Sequence, residues 1–467
     1  MFSDHNQSEP VAYRPILPSP VMAHSTPRPT FRLDARHVSF AAVLCALLLA
    51  ACPDDGGSST TDTTGNDTLP GNRTFLLAAR AESYDPNQAR PFVPSLASVT
   101  FAPSAADPIS PPLADRPIEA LVLPVDLIGI PWSSFSGPDN RPTSLPSTWL
   151  AEIEDLEALA AEAGLPLILA LSPLSPDHNT LAPLASEQSG ALVLNPTWKP
   201  SCYDPSADSN PTLYRDQYAG FVVWLAERFQ PAAILVGQRL NLYEANCGAS
   251  AFEAIVGFVN HAQTRLATLE ARPLTVATID VEDLYGFPSR PGRCVTGTPK
   301  ECLATRASLL SDLAVDRLGL DSSPWRAFGD LADIPRDWLA AVADAQTLPA
   351  LVASTGAPAI RIDAARGACS PFIESDELAQ RNWLDQAIGF SASEDAPFLV
   401  WRTLIDQLPT GILASCPCTG DVALCTHLEG LGNRRDDRRA TLGSGLASAD
   451  GTPRQALTLW RSLLETP

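Results

Sequence analysis

The sequence predicts one (β/α)8 barrel, and three observations lead there. Eight short apolar, β-branched runs recur along the chain, helical patterns lie between most of them, and about 395 residues follow the last polar tether, a length ordinary for such a barrel with enlarged loops. The runs are Phe75 to Ala81, Asp126 to Pro131, Leu165 to Leu171, Ala232 to Gly237, Leu274 to Asp280, Leu313 to Ser322, Ala350 to Ser354 and Pro397 to Arg402. Apolar residues at three- and four-residue spacing predict helices over Thr148 to Ala163, Leu213 to Phe229, Ala249 to Ala271, Arg336 to Thr347, Glu374 to Gly389 and Pro453 to Leu464. Alternation of the two kinds of element over this length favours a closed parallel barrel over an open sheet. No Gly-x-Gly-x-x-Gly follows the first run, which removes the main support for a dinucleotide-binding fold, and no cofactor is expected.

The N-terminus reads as an export signal. Arg32 and Arg36 precede the apolar stretch Phe40 to Leu49, and Leu49-Ala50-Ala51-Cys52 follows. A charged segment, an apolar segment about ten residues long and small residues before a cut are what a signal peptide requires, and the stretch is too short to span a membrane. Leu-Ala-Ala-Cys resembles the bacterial lipobox, which implies removal of residues 1–51, lipidation of Cys52 and a membrane partner through that lipid. The plainer alternative is an ordinary signal whose cysteine is accidental. Met22 would itself begin a signal of normal length. Residues 52–72, with PDDGGSSTTDTTGNDTLPGN after the cysteine, lack the apolar side chains needed for a core and read as a tether; 73–467 is then the barrel domain, outside the cytoplasm in the cell envelope.

Charge and cysteines narrow the partners. With 32 basic and 53 acidic residues, a formal net charge of −21 and no basic cluster after the tether, nucleic acid is excluded as a partner. Apart from Cys45 and Cys52, the cysteines are Cys202, Cys247, Cys294, Cys302, Cys369, Cys416, Cys418 and Cys425. An even number in an exported chain reads as disulfides. A Cys202–Cys247 bridge between neighbouring loops and a rim tied by Cys294 and Cys302 are expected. Cys416, Cys418, Cys425 and nearby His427 offer a zinc alternative, but their spacing matches no standard pattern and no metal site is expected.

In a barrel of this kind, chemistry sits where the strands end. Those ends carry Trp132 beyond the second run, Asp177-His178-Asn179 beyond the third, and Gln238, Arg239, Asn241, Tyr243 and Glu244 beyond the fourth. Asp280, Glu282 and Asp283 follow the fifth, Asp321 and Trp325 the sixth, Ser354 the seventh, and Trp401 with Arg402 the eighth. Trp132, Tyr243, Trp325 and Trp401 are candidates to stack on sugar rings, with filling of the barrel top as the equal alternative; the polar residues are candidates to bond ring hydroxyls. His178 is a candidate cleft residue against the commoner surface role. Glu154, Asp155 and Glu157 read as a solvated helix face.

Several of these ends together resemble the clan of retaining (β/α)8-barrel glycosidases, and within it the endo-β-1,4-galactanase-like members. Gly237-Gln238-Arg239-Leu240-Asn241 stands where that clan has Gly-Asn-Glu-hydrophobic-Asn. Leu320-Asp321-Ser322-Ser323-Pro324-Trp325 is similar to its hydrophobic-x-Ser-Ser-Tyr-Pro end, and Ser354-Thr355-Gly356 falls where it has Glu-Thr-Gly. Leu442-Gly443 through Asp450-Gly451-Thr452-Pro453-Arg454-Gln455-Ala456 resembles its closing segment. The resemblance implies a carbohydrate ligand. It also implies that both catalytic glutamate positions are replaced, by Arg239 and Ser354.

A retaining glycosidase needs one carboxyl as acid/base and another about 5 Å away as nucleophile. A guanidinium with a pKa above ~12 exchanges no proton near neutrality. A serine lacks the negative charge that stabilises an oxocarbenium ion, and no motif places a histidine to activate it; no Gly-x-Ser-x-Gly elbow is present. The sequence therefore leans towards a barrel that binds a saccharide without cleaving it. An active hydrolase with relocated carboxylates, drawn from Glu244, Glu282, Asp283 or Asp321, and a structural envelope lipoprotein that uses the barrel as a scaffold are the alternatives.

Overall fold

The computed structural model describes residues 73–84, 92–96, 99, 117–204, 210–285, 306, 308–363, 371–407 and 440–465. The expected signal and tether, Cys52, Cys294, Cys302, Cys369, Cys416, Cys418, Cys425 and His427 lie outside the described residues.

Eight parallel strands close into a barrel: β1 Leu76–Arg80, β2 Ala120–Pro124, β3 Leu167–Ala170, β4 Ala233–Gly237, β5 Leu274–Asp280, β6 Arg317–Ser322, β7 Ala350–Thr355 and β8 Phe398–Trp401. Each pairs with its sequence neighbours, and β1 pairs with both β2 and β8. Outside lie α1 Ser147–Ala163, α2 Leu213–Phe229, α3 Leu240–Cys247, α4 Ala249–Leu266, α5 Val281–Tyr285, α6 Trp338–Ala343, α7 Glu377–Ser393 and α8 Gln455–Leu464. The expected fold class is what the chain adopts. None of these helices is long and apolar enough to cross a membrane.

Period-two alternation along each strand divides the apolar residues into two cores. Ala78, Val122, Ile168, Ala170, Leu235, Val276, Leu351 and Val400 fill the barrel interior. Leu77, Leu121, Leu123, Leu169, Ile234, Ile279, Leu320 and Leu399 face outward and are covered by the helices. Burying such a side chain fully contributes about 1.5–3 kcal/mol, so a one-residue slip would expose one core while overfilling the other. Interior space is limited: a Cβ on Gly319 would come within 2.7 Å of Ala353 and 2.8 Å of Thr278.

One strand differs from expectation. The second barrel strand is Ala120–Pro124, not Asp126 to Pro131, which forms a 3-10 turn and a single bridge residue. Both stretches are apolar and short, so periodicity did not distinguish them. Gly129 adopts φ 68°, which ends extended structure there.

The loops after β3 and β4 are fastened together. A disulfide joins Cys202 to Cys247 with their Cα atoms 5.1 Å apart, as expected for neighbouring loops. Asn246 donates to the His178 carbonyl at 2.9 Å, and the Cys202 amide donates to the Asn179 carbonyl at 2.7 Å. The loop carrying His178 is thus held from the α3 side. On α1, Glu154 and Asp155 are exposed as expected, but Glu157 is half-buried and bonded to Arg228 on α2.

Candidate functional site

A cleft of about 230 Å³ opens at the C-terminal mouth of the barrel. Strand parity builds its walls. The interior rows that begin with Ala78, Ile168, Thr278, Gly319 and Val400 end, two residues or one further step along, in Arg80, Ser172, Asp280, Asp321 and Arg402. On β7 a register irregularity sets Ser354 directly beside Asp321, whose other neighbour in register is Asp280. Arg239 follows β4 and caps α3 from the left-handed region, at φ 47° and ψ 48°.

The charges form two clusters. In the first, Asp321 accepts from two guanidiniums: Arg239 Nε at 3.0 Å and Arg402 Nη2 at 2.6 Å. Arg402 also donates to Ser354 Oγ at 3.0 Å and Ser323 Oγ at 3.2 Å. Beneath them Asp280 is bonded to Arg326 and lies 4.0 Å from Arg239. Burial works against the Asp280 charge, but Arg326 and Arg239 outweigh it and hold the carboxyl below its ordinary range. Burial draws the Arg402 guanidinium below its ordinary range, against the pull of Asp321. In the second cluster, Arg80 donates to Glu82 at 2.5 Å, Asp126 at 3.1 Å and Gln238 Oε1 at 3.2 Å, while Gln238 Nε2 donates to Asp126 at 3.0 Å. Burial opposes the Arg80 charge, and the two carboxylates more than offset it.

Of the residues singled out from sequence, His178, Gln238, Arg239, Asp321, Ser354 and Arg402 line this cleft together. His178 is not a surface histidine: it is 6% exposed, its Nδ1 has no hydrogen-bond partner, and its backbone is left-handed at φ 53°. Burial, reinforced by Arg239, pushes its imidazole down to about 3, so it is neutral. Asp280 and Asn241 stand behind the wall. Asn241 donates to the Asp280 carbonyl at 2.9 Å and accepts from its amide at 2.7 Å.

The four aromatic candidates do not line the cleft, and the reason is again parity and burial. Trp401 lies on the outward row of β8, next to inward Val400 and Arg402; it is fully buried and donates to the Ser444 carbonyl. Trp132, moved outward with the true position of β2, packs against Trp198 at 5.5 Å and Tyr218 at 6.3 Å and donates to the Ala182 carbonyl. Tyr243 is fully buried on α3 and bonded to the Tyr203 carbonyl. Trp325 is 3% exposed on a 3-10 turn after β6. Of the alternatives expected at these ends, filling the barrel top is the one these side chains take.

The fallback carboxylates fare differently from one another. Glu244 is paired with Arg306 at 3.0 Å and is absent from the cleft lining. Glu282 is fully buried on α5, accepting from Ser322 Oγ at 2.6 Å, the Ser323 amide at 2.8 Å and Trp338 Nε1 at 3.4 Å. Burial, then Asp280, pushes its carboxyl up to about 7, a value suited to a proton donor, but it too is absent from the cleft lining. Asp283 is likewise buried, accepting from Asn241 Nδ2 at 3.3 Å and donating its amide to Asp280 at 2.9 Å. Among the described residues no group of three or more His, Cys, Asp or Glu is arranged to hold a metal ion.

Sequence reasoning missed Arg80, Glu82 and Asp126. Arg80 was within the first predicted strand, and extending the Ala78 row by two would have found it. Asp126 was hidden by the misplaced second strand.

No family model and no curated protein matches the chain. Solved structures do. An exo-β-1,4-mannosidase from Opitutaceae bacterium strain TAV5 aligns with 86% of this chain and 62% of its own length, at 13% identity and a TM-score of 0.44. A GH10 protein from Paenibacillus barcinonensis aligns over 85% and 96%, at 10% identity and 0.45. A xylanase from Cellvibrio japonicus aligns over 85% and 68%, at 10% identity and 0.48. This chain thus spans under two thirds of the mannosidase. At such identities and TM-scores the similarity adds nothing to the strand pairing, which by itself establishes a closed eight-stranded parallel barrel with helices outside.

Proposed function

We propose that this chain is a lipid-anchored, extracytoplasmic barrel that binds a saccharide in the mouth cleft and does not hydrolyse it. The observation that carries the reading is that, among the described residues, the three carboxylates lining the cleft, Glu82, Asp126 and Asp321, are ion-paired to arginines. Cleavage of a glycosidic bond needs a carboxyl that delivers a proton and another that meets the developing cation. Here the positions that the clan resemblance gives to glutamates hold Arg239 and Ser354, and the remaining carboxylates serve as partners for guanidiniums. Fixed carboxylates, amides and hydroxyls at a concave mouth are suited to hydrogen-bonding sugar hydroxyls. Buried Glu282 has a carboxyl raised to about 7, and its three protein hydrogen bonds hold it away from the cleft lining.

The test is incubation of the full chain with a polysaccharide panel, read as reducing ends released and as binding on a glycan array. Binding without release is expected. Release that disappears in Asp321→Ala or Glu282→Gln would instead establish a hydrolase with relocated carboxylates, and an array with no bound glycan would leave the scaffold role.

The anchor has its own test. Palmitate fed to a producing bacterium is expected to label the protein, and Cys52→Ala is expected to abolish the label. A protein exported without label would make Leu49-Ala50-Ala51-Cys52 an ordinary cleavage site.

A further inference from the structure

The charged groups of the cleft are unevenly divided between its walls. On the β1–β2 side one guanidinium, Arg80, faces two carboxylates, Glu82 and Asp126. On the β4–β8 side, among the described residues that line the cleft, two guanidiniums, Arg239 and Arg402, share one carboxylate, Asp321. One wall therefore carries an excess negative charge and the other an excess positive charge.

The positive excess is concentrated at Arg239. Its side chain is 38% exposed, against 17% for Arg80, 17% for Arg326 and 11% for Arg402. Only its Nε is committed to a hydrogen bond among the described residues; Nη1 is 4.0 Å from Asp280, beyond hydrogen-bonding distance. The terminal nitrogens of a guanidinium form a planar fork that matches the two oxygens of a carboxylate. Arg239 is also held in the left-handed region at φ 47°, and backbone strain of this kind gathers at ligand-binding positions.

A second observation points the same way from another loop. His178 lies close enough to Arg239 for the two to interact electrostatically, and it too is left-handed. It is more than nine-tenths buried in the cleft wall, neutral, and has an unpartnered ring nitrogen. Buried polar groups are partnered in nearly all proteins, and this nitrogen is left without a partner in the cleft wall. Ser354 Oγ accepts from Arg402, which leaves its own proton to donate into the cleft.

We propose that the saccharide is acidic: a sugar unit bearing a carboxylate, which docks on the terminal nitrogens of Arg239 with Ser354 and His178 beside it, while ring hydroxyls donate to Asp126 and Glu82 across the cleft. This rests on the saccharide-binding reading above and assigns its ligand class. At net charge −21 the surface as a whole repels anions, so recognition of an acidic sugar depends on this local exception. A cleft of about 230 Å³ is below the ~300–1,000 Å³ of drug-sized sites, which favours one acidic unit over a long chain lying inside.

The experiment is calorimetry on the full chain with uronate-containing oligosaccharides and the same compounds after reduction of each carboxylate to a hydroxymethyl group. The acid form is expected to bind at least about tenfold more tightly than its reduced partner, and Arg239→Gln is expected to bring the two affinities together. Equal affinities in the unaltered protein, a preference that survives Arg239→Gln, or acetate binding as tightly as the uronate would each overturn the proposal. Because the acid and reduced forms are compared on the unaltered chain, the result stands even if the variant fails to fold. Binding of the neutral form alone would remove the acidic class and keep the saccharide reading; binding of neither form would remove both.

Discussion

Adjacent residues at the tips of the barrel strands belong to two different regions. The inward rows end in Arg80, Asp280, Asp321 and Arg402, each held in an ion pair; the outward row of β8 ends in Trp401, sealed under the helices. One residue along the chain separates Trp401 from Arg402, and it decides whether a side chain belongs to the ligand or to the core. An aromatic residue at a strand end therefore indicates a sugar platform only after its parity is known.

The sharpest way to break that contrast is Trp401→Ala. Removing an indole from the closed core is expected to cost about 3–5 kcal/mol, read as a fall in urea midpoint, while the surviving folded protein binds its ligand unchanged. A loss of binding without a loss of stability would place Trp401 in the cleft after all.

Next comes the clamp on the His178 loop. Replacing Cys202 and Cys247 with serine opens a bridge of sequence separation 45 and is expected to cost about 2–4 kcal/mol. Ligand affinity is expected to drop as well, since Asn246 and the bridge hold the His178 loop. Intact affinity in the double variant would mean that the loop is positioned without them.

Acidity separates the inward cluster from the buried carboxyl behind it. Glu282, raised from 4.5 to about 7, makes the folded chain bind more protons than the unfolded one between those values. Stability is therefore expected to fall as pH rises through that window, by on the order of 1–3 kcal/mol, and Glu282→Gln should flatten the slope. Asp280 has the opposite sign. Its depressed carboxyl contributes stability present above pH ~4 and lost on further acidification. Titrating denaturant midpoints of Glu282→Gln and Asp280→Asn checks the two windows separately.

The smallest stability effect belongs to Arg239→Gln. A side chain 38% exposed with one hydrogen bond is worth within about 1 kcal/mol, so the melting temperature should scarcely move although ligand recognition does.

The barrel itself was legible because burial on both faces of each strand writes a continuous apolar run, and seven of the eight runs lie on strands. The eighth failed where two apolar stretches stood six residues apart and Gly129 alone marked which one turned. Arg239, Asp321, Ser354, Arg402, Gln238 and His178 were legible from their position at strand ends. Their partners were not. That Asp321 is shared by two arginines, or that His178 is buried, depends on contacts between residues tens of positions apart. The tryptophans misled for a related reason: composition identifies a residue's chemistry, whereas which way it faces depends on register.

The central claim is that the inward cleft holds a saccharide and leaves it whole. A structure of the full chain soaked with an acidic oligosaccharide tests it most directly. An unbroken ligand in the cleft with its carboxylate on Arg239 is expected. A cleaved product there, or an intact sugar bound on the Trp132 and Trp198 side instead, would contradict it.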